Sequence, residues 1–150
     1  VAKPQKDITV RVRITGLRET IAALNRLPKD ADAEIREAAQ ELARDMATAA
    51  AAAGRAEGRQ AALVATTVKA MRDRVPVVNA GGARRLGRNR EPAYKLLFGS
   101  EFGATRYRQY KPHLGSGSYW FFQTVDERQA EISAAWLQAA DEIIRRFGEG

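Results

Sequence analysis

Two residues come nearest to catalytic chemistry: the single histidine, His113, and Glu101, which is framed by glycines in Gly99-Ser-Glu-Phe-Gly103. An imidazole near neutral pH can move a proton, so a Ser-His-Asp triad is formally possible through His113. No serine, however, lies in a nucleophile-elbow pattern, and the plainer reading is a loop histidine that hydrogen-bonds near Pro112. A carboxylate on a glycine-framed turn more often accepts turn amides or pairs with an arginine than attacks a substrate. Spacing identifies no second carboxylate for a two-acid mechanism. With no cysteine and one histidine, the chain has no disulfide framework, no thiol nucleophile and no histidine-rich metal site. Gly82 to Arg88 is glycine-rich, yet it lacks the Gly-Lys-Ser/Thr ending of a phosphate loop. The expectation is therefore a protein that is not an enzyme, with no catalytic, cofactor-binding or metal-binding residue.

The stronger signal outside the apolar pattern is arginine. Arg84, Arg85, Arg88 and Arg90 fall in one glycine-rich stretch, 81–92, and Arg106, Arg108 and Lys111 in a second polar stretch, 104–118. The chain carries a net charge of +7 and a pI of about 10.1. Residues 69–111 hold eleven Lys or Arg against three acids, whereas the remainder holds fourteen bases and fifteen acids. The basic character thus belongs to one central region, which could face nucleic acid or an acidic protein surface. Near the second stretch Tyr107, Tyr110, Tyr119, Trp120, Phe121 and Phe122 cluster. Aromatics interleaved with arginine can stack on bases or furnish an intersubunit surface.

The elements that must position these side chains follow from periodicity. A length of 150 residues with 45% hydrophobic content suits one domain, 1–150, with its own core. Residues 1–6 read as a polar arm. Ile8, Val10, Val12 and Ile14 alternate with polar residues and predict a strand with one buried face, ended by Gly16. Leu17, Ile21, Leu24 and Leu27 share one helical face. Pro28 suits the first position of a new helix, expected over roughly 29–53 and marked by Ile35, Ala38, Leu42, Met46 and Ala49. Its run Ala47–Ala53 has high helix propensity and little bulk, which permits close approach of another backbone. Gly54–Gly58 reads as a break, and Leu63 to Met71 as a helical or mixed segment. Strands are expected at 75–78, 94–98 and 119–125, with a turn at 99–103. In the last strand Trp120 and Phe122 face one side, and Tyr119 and Phe121 the other. Asp126 to Gln129 resembles a capping box that opens a closing helix to Phe147, with Ile132, Trp136, Ala139 and Ile143 on its stripe. The predicted fold is α+β: a small antiparallel sheet packed by a long N-terminal helix and a C-terminal helix, with two long loops. Loops of that length in a compact domain are usually functional. No apolar run suggests a signal peptide or a membrane span, and synthesis in the cytoplasm is expected.

The stretch Leu97-Phe-Gly-Ser-Glu-Phe-Gly103, followed by Arg108-Gln-Tyr-Lys-Pro-His-Leu-Gly115 and Tyr119-Trp-Phe-Phe-Gln-Thr-Val125, resembles the tail-component (neck or tail-completion) family of long-tailed bacteriophages. The layout is similar as well: an N-terminal strand and glycine, a long alanine-rich helix, a turn carrying Gly99, Glu101 and Gly103, an aromatic strand with Trp120 and Phe122, and a closing helix. The chain departs from many relatives after the long helix, where Gly54-Arg-Ala-Glu-Gly-Arg-Gln60 stands in place of a proline followed by Thr-Gly.

The resemblance implies a structural virion protein at the head-tail junction, as a neck, tail-completion or tail-terminator subunit. It implies a homo-oligomeric ring of six subunits through which DNA passes, held between connector or stopper and tail-tube proteins. The two basic stretches would then dock on neighbouring subunits or touch passing DNA. The competing reading is a stand-alone basic nucleic-acid-binding protein.

Overall fold

The structure, a computed structural model, describes residues 7–102 and 120–148, with the backbone alone at 99, 101 and 102. The elements are β1 (Asp7–Arg11), α1 (Leu17–Asn25), α2 (Lys29–Glu57), α3 (Arg59–Ala65), β2 (Lys69–Met71), β3 (Val77–Gly81), β4 (Arg85–Leu86), β5 (Glu91–Pro92), α4 (Ala93–Phe102) and α5 (Phe121–Gly148). Strands β1, β3 and β2 form an antiparallel sheet in that order, and β4 with β5 a separate hairpin. The expected α+β class, with the long helix and the closing helix packed on a small antiparallel sheet, is borne out.

The alternation read at the N-terminus sets the sheet's two faces. Val10 pairs with Val78 and Ile8 with Ala80, while Ala70 flanks Val78 from the other side. Cross-strand partners share a face, and these apolar side chains make the inner one. Thr9, Asn79 and Lys69 share the outer face, as do Arg11, Val77 and Met71. As β3 is the central strand, even its outward residues Val77 and Asn79 are buried. The Asn79 amide donates to Asp7 Oδ2 at 3.0 Å and to Thr9 Oγ1 at 2.8 Å, which satisfies a polar group in that position.

Helix α1 starts after Gly16, whose φ of 75° is the left-handed conformation that glycine adopts without steric cost. Pro28 lies one position before α2 rather than inside it, and its carbonyl accepts from Ala31 N at 3.0 Å. Helix α2 runs 29 residues, about 43 Å at 1.5 Å per residue. Ala31, Ile35, Ala39, Ala43, Met46, Ala47, Ala50 and Gly54 form its buried stripe. The break expected over Gly54–Gly58 falls at its last residue: helix geometry continues through Gly54 to Glu57, and the chain turns at Gly58 into α3.

Helix α5 lies antiparallel along α2. Trp120, just before α5, meets Gly54 near the end of α2, whereas Arg146 near the end of α5 pairs with Glu34 near the start of α2. The turn between β2 and β3 is tied to the start of α2. Arg74 Nε binds Asp32 Oδ1 at 2.6 Å, and Arg74 Nη1 binds Asn25 Oδ1 at 2.8 Å. Trp136 Nε1 of α5 donates to the Arg74 carbonyl at 2.6 Å. Arg11 Nη1 holds Asp73 Oδ2 at 2.6 Å. These bonds fix the turn against α1, α2, β1 and α5 together.

Two expected strands are helices. Residues 94–98 belong to α4, because Ala93, Leu96, Leu97 and Ser100 are buried at spacings of three and four. Gly99 and Glu101 therefore sit in a helix and not on a turn. Residues 121–125 form the first turns of α5, with Phe121, Val125, Ile132, Trp136, Ala140 and Ile143 on one buried stripe. The Asp126–Gln129 motif lies inside that helix and opens nothing. Among the described residues, no helix is long and apolar enough to cross a membrane.

Candidate functional site: an arginine hairpin

The first basic stretch is no open loop. After Gly81 ends β3, the chain turns through Gly82 and forms the β4–β5 hairpin, with Arg85 opposite Pro92 and Leu86 opposite Glu91. Pro92 lacks an N–H, a lesser loss on a two-stranded ribbon than inside a sheet. The base is closed by Ala93 N donating to the Arg84 carbonyl at 2.7 Å and Tyr94 N to the Gly82 carbonyl at 2.9 Å. At the tip, Arg90 N donates to the Gly87 carbonyl at 3.3 Å, and Arg85 Nη1 to the Arg90 carbonyl at 2.8 Å. Leu86 is buried and anchors the ribbon to the body. A β-carbon on Gly87 would stand 3.0 Å from Leu63 Cδ1 of α3, so the tip lies directly on that helix.

The result is a framed display of four guanidinium groups. Arg84, Arg85, Arg88 and Arg90 are all exposed. Among the described residues none of the four forms an ion pair; the salt bridges there involve Arg11, Arg36, Arg74 and Arg146. Arg90 is the one described non-glycine residue with positive φ, at 55°. That conformation costs an L-residue about 1–2 kcal/mol, and such strain clusters where surrounding structure holds a side chain for use.

Between the hairpin and α3 runs a cleft of about 220 Å³. Arg59 and Gln60 line it from α3, and Arg88, Asn89 and Glu91 from the hairpin. Leu63, Leu86 and Leu96 also line it. Arg59 was not legible as part of this group, since it stands 29 positions before Arg88 and only the fold joins them. A second, open groove of about 640 Å³ lies between Arg13, Thr15 and the α5 residues from Asp126 to Leu137. Among the described residues, no group of three His, Cys, Asp or Glu side chains is placed to hold a metal ion.

The aromatic pair lands elsewhere. Trp120 is 2% exposed, with Nε1 donating to Ser100 Oγ at 3.1 Å. Phe121 packs edge-on against it at 5.7 Å between ring centroids and is fully buried. Phe122 is half-buried. The expected pairing of Trp120 with Phe122 on one face and Phe121 on the other is overturned, because helical rather than strand geometry separates these side chains. Trp120 is a core residue that locks α4 to the junction of α2 and α5. Arg106, Arg108, Lys111, Gly103, His113 and the rest of 104–118 lie outside the described residues. No family model, no curated protein and no solved structure matches this chain, so the geometry of the hairpin and its cleft stands without a relative for comparison.

Proposed function

We propose that this protein is a structural subunit of a tailed bacteriophage, forming a homo-oligomeric ring at the head-tail junction through which DNA passes. The observation that carries the reading is the arginine hairpin: four exposed guanidiniums on a ribbon tied at its base, its tip and its buried Leu86. Ion pairs made by pre-positioned arginines lose less conformational freedom than those of a mobile loop. Rigid helices on a sheet supply a wedge, and head-to-tail contacts between identical wedges close into a ring when the rotation permits. The sequence stretches 97–103, 108–115 and 119–125, which resemble the neck and tail-completion family, support the same station. In this reading the protein has a structural rather than a catalytic task, and it acts in the virion after synthesis in the host cytoplasm.

The arginines then meet carboxylates of neighbouring subunits, or of the connector and tail-tube proteins above and below. Protein contact is favoured over lumenal DNA contact, because tight phosphate binding in a channel slows passage. The test is electron cryomicroscopy of purified particles of the phage that encodes the chain. A closed ring of this chain at the head-tail junction is expected. Its absence from purified particles overturns the reading and puts a free nucleic-acid-binding protein first.

A further inference from the structure

The charge on this molecule is divided along one rigid element. Helix α2 carries Glu37 and Glu41 on one exposed face, four residues apart, with Asp45 one turn further on. Like charges at that spacing repel and weaken a helix. Among the described residues, none of the three forms an ion pair, in contrast to Asp32 and Glu34 of the same helix. At the other end, where α2 gives way to α3 at Gly58, Arg59 joins Arg88 across the cleft beside the hairpin. Among the described residues, Glu91 is the one carboxylate lining that cleft, and it makes no ion pair.

Among the described residues neither charged surface is neutralised by an ion pair, although Arg44 shares the exposed α2 face and Glu91 the cleft. About 25 Å of helix separates Glu41 from Gly58, and about 32 Å separates Glu37 from it. For Arg59, next to Gly58, that exceeds the combined reach of an arginine and a glutamate side chain.

We propose that the arginine-rimmed cleft between α3 and the hairpin receives the acidic face of helix α2, at Glu37 and Glu41, from a second copy of this chain. The proposal rests on the ring reading and names its contact. Arg59 and Arg88 stand on opposite walls of the cleft, so a carboxylate entering it meets a guanidinium from each side. Gln60 and Asn89 add neutral hydrogen-bond donors, and Leu63 offers an apolar surface to the aliphatic stems. Because the patch on one copy differs from the patch on the next, the contact is heterologous, the kind that builds rings.

The experiment uses the full chain and two charge-reversed variants, Arg59→Glu/Arg88→Glu and Glu37→Arg/Glu41→Arg, each checked for unaltered helicity by circular dichroism. All four positions are exposed, so the fold tolerates them. Sedimentation velocity at low ionic strength should show self-association of the unaltered chain, weakening as salt screens the contact. Each variant alone should associate at least about tenfold more weakly, a loss of about 1.4 kcal/mol. An equimolar mixture of the two should recover association, since every contact in an alternating assembly again pairs opposite charges. If the unaltered chain forms rings and the variants form them equally well, the cleft contact is overturned while the ring reading stands. A mixture that fails to recover association also overturns the contact. An unaltered chain that stays monomeric at every concentration overturns it too, and the ring reading is then decided separately by the chain's presence in particles.

Discussion

The indole of Trp120 occupies the space that a side chain on Gly54 needs: a β-carbon there would lie 3.0 Å from Trp120 Cζ3, 3.1 Å from Cε3 and 3.2 Å from the Ala61 carbonyl. A glycine inside a helix costs about 1 kcal/mol relative to alanine, so this position trades helix propensity for contact between α2, α3 and the entry to α5. Gly54→Val is expected to destabilise the protein by about 1–3 kcal/mol through overpacking, seen as a lower urea midpoint with an unchanged slope. Trp120→Phe removes the contacting ring edge, so the double variant should lose less than the sum of the two. Strict additivity would mean that the two residues do not share the space.

This pair also shows what was legible from sequence. The alanine-rich run was readable as a surface for close approach, yet Gly54 read as a break, because glycine marks both helix ends and close contacts. The N-terminal strand, α1, α2 and the sheet's antiparallel character were legible, since their apolar periods are long and unambiguous. The stretches Tyr94–Phe98 and Tyr119–Val125 were not. Short apolar or aromatic runs have no resolvable period, and β-propensity tipped both toward strand. Helix packing decides them instead, through Ala93, Leu97 and Ser100 in one case and Phe121 and Val125 in the other. The arginines of 81–92 were found by composition alone, but Arg59 and the cleft exist only once α3 folds against the hairpin.

Acid should loosen the end of the molecule where β2 meets β3. Asp32 is held below the usual carboxylate range by hydrogen bonds from Arg36 and Arg74, which outweigh its desolvation. Asp73 is also lowered: burial pushes it up, but the Arg74 backbone N–H and Arg11 more than offset this. Depressed folded-state values mean the stabilisation is complete above the unfolded aspartate pKa of about 3.9 and is lost as pH falls through the lower folded values. Asp32→Asn should therefore be less stable than the unaltered chain at pH 7, with the gap closing below about pH 4. Denaturant titrations across pH 7 to 2 measure it, and a gap that widens in acid contradicts the assignment.

The hairpin tip makes two opposed demands. Gly87 has φ of 74° and lies against Leu63, so Gly87→Ala adds both backbone strain and a clash. A loss of about 1–2 kcal/mol is expected, confined to the ribbon and read as faster amide exchange at Leu86 and Arg90. Arg90, at φ 55°, behaves oppositely: Arg90→Gly should relieve strain and slow exchange by a few-fold. If Arg90→Gly loosens the ribbon instead, the side chain contributes more to the tip than its backbone costs.

Salt dependence separates docking from nucleic-acid binding. Each phosphate neutralised on duplex DNA contributes about −0.9 to the slope of log K against log salt. The four hairpin arginines can therefore account for a slope no steeper than about −3.6. A subunit whose arginines are meant for carboxylates on neighbouring copies should bind duplex DNA weakly as a monomer, with a slope at or below that limit. Arg84→Glu/Arg85→Glu should abolish even this binding and also block particle assembly. Tight binding by the monomer, with a slope well beyond that limit, means that other basic side chains join a continuous phosphate track. Particle assembly that survives the double substitution means that Arg84 and Arg85 dock on nothing, and the cleft contact of Arg59 and Arg88 is then decided by its own variants.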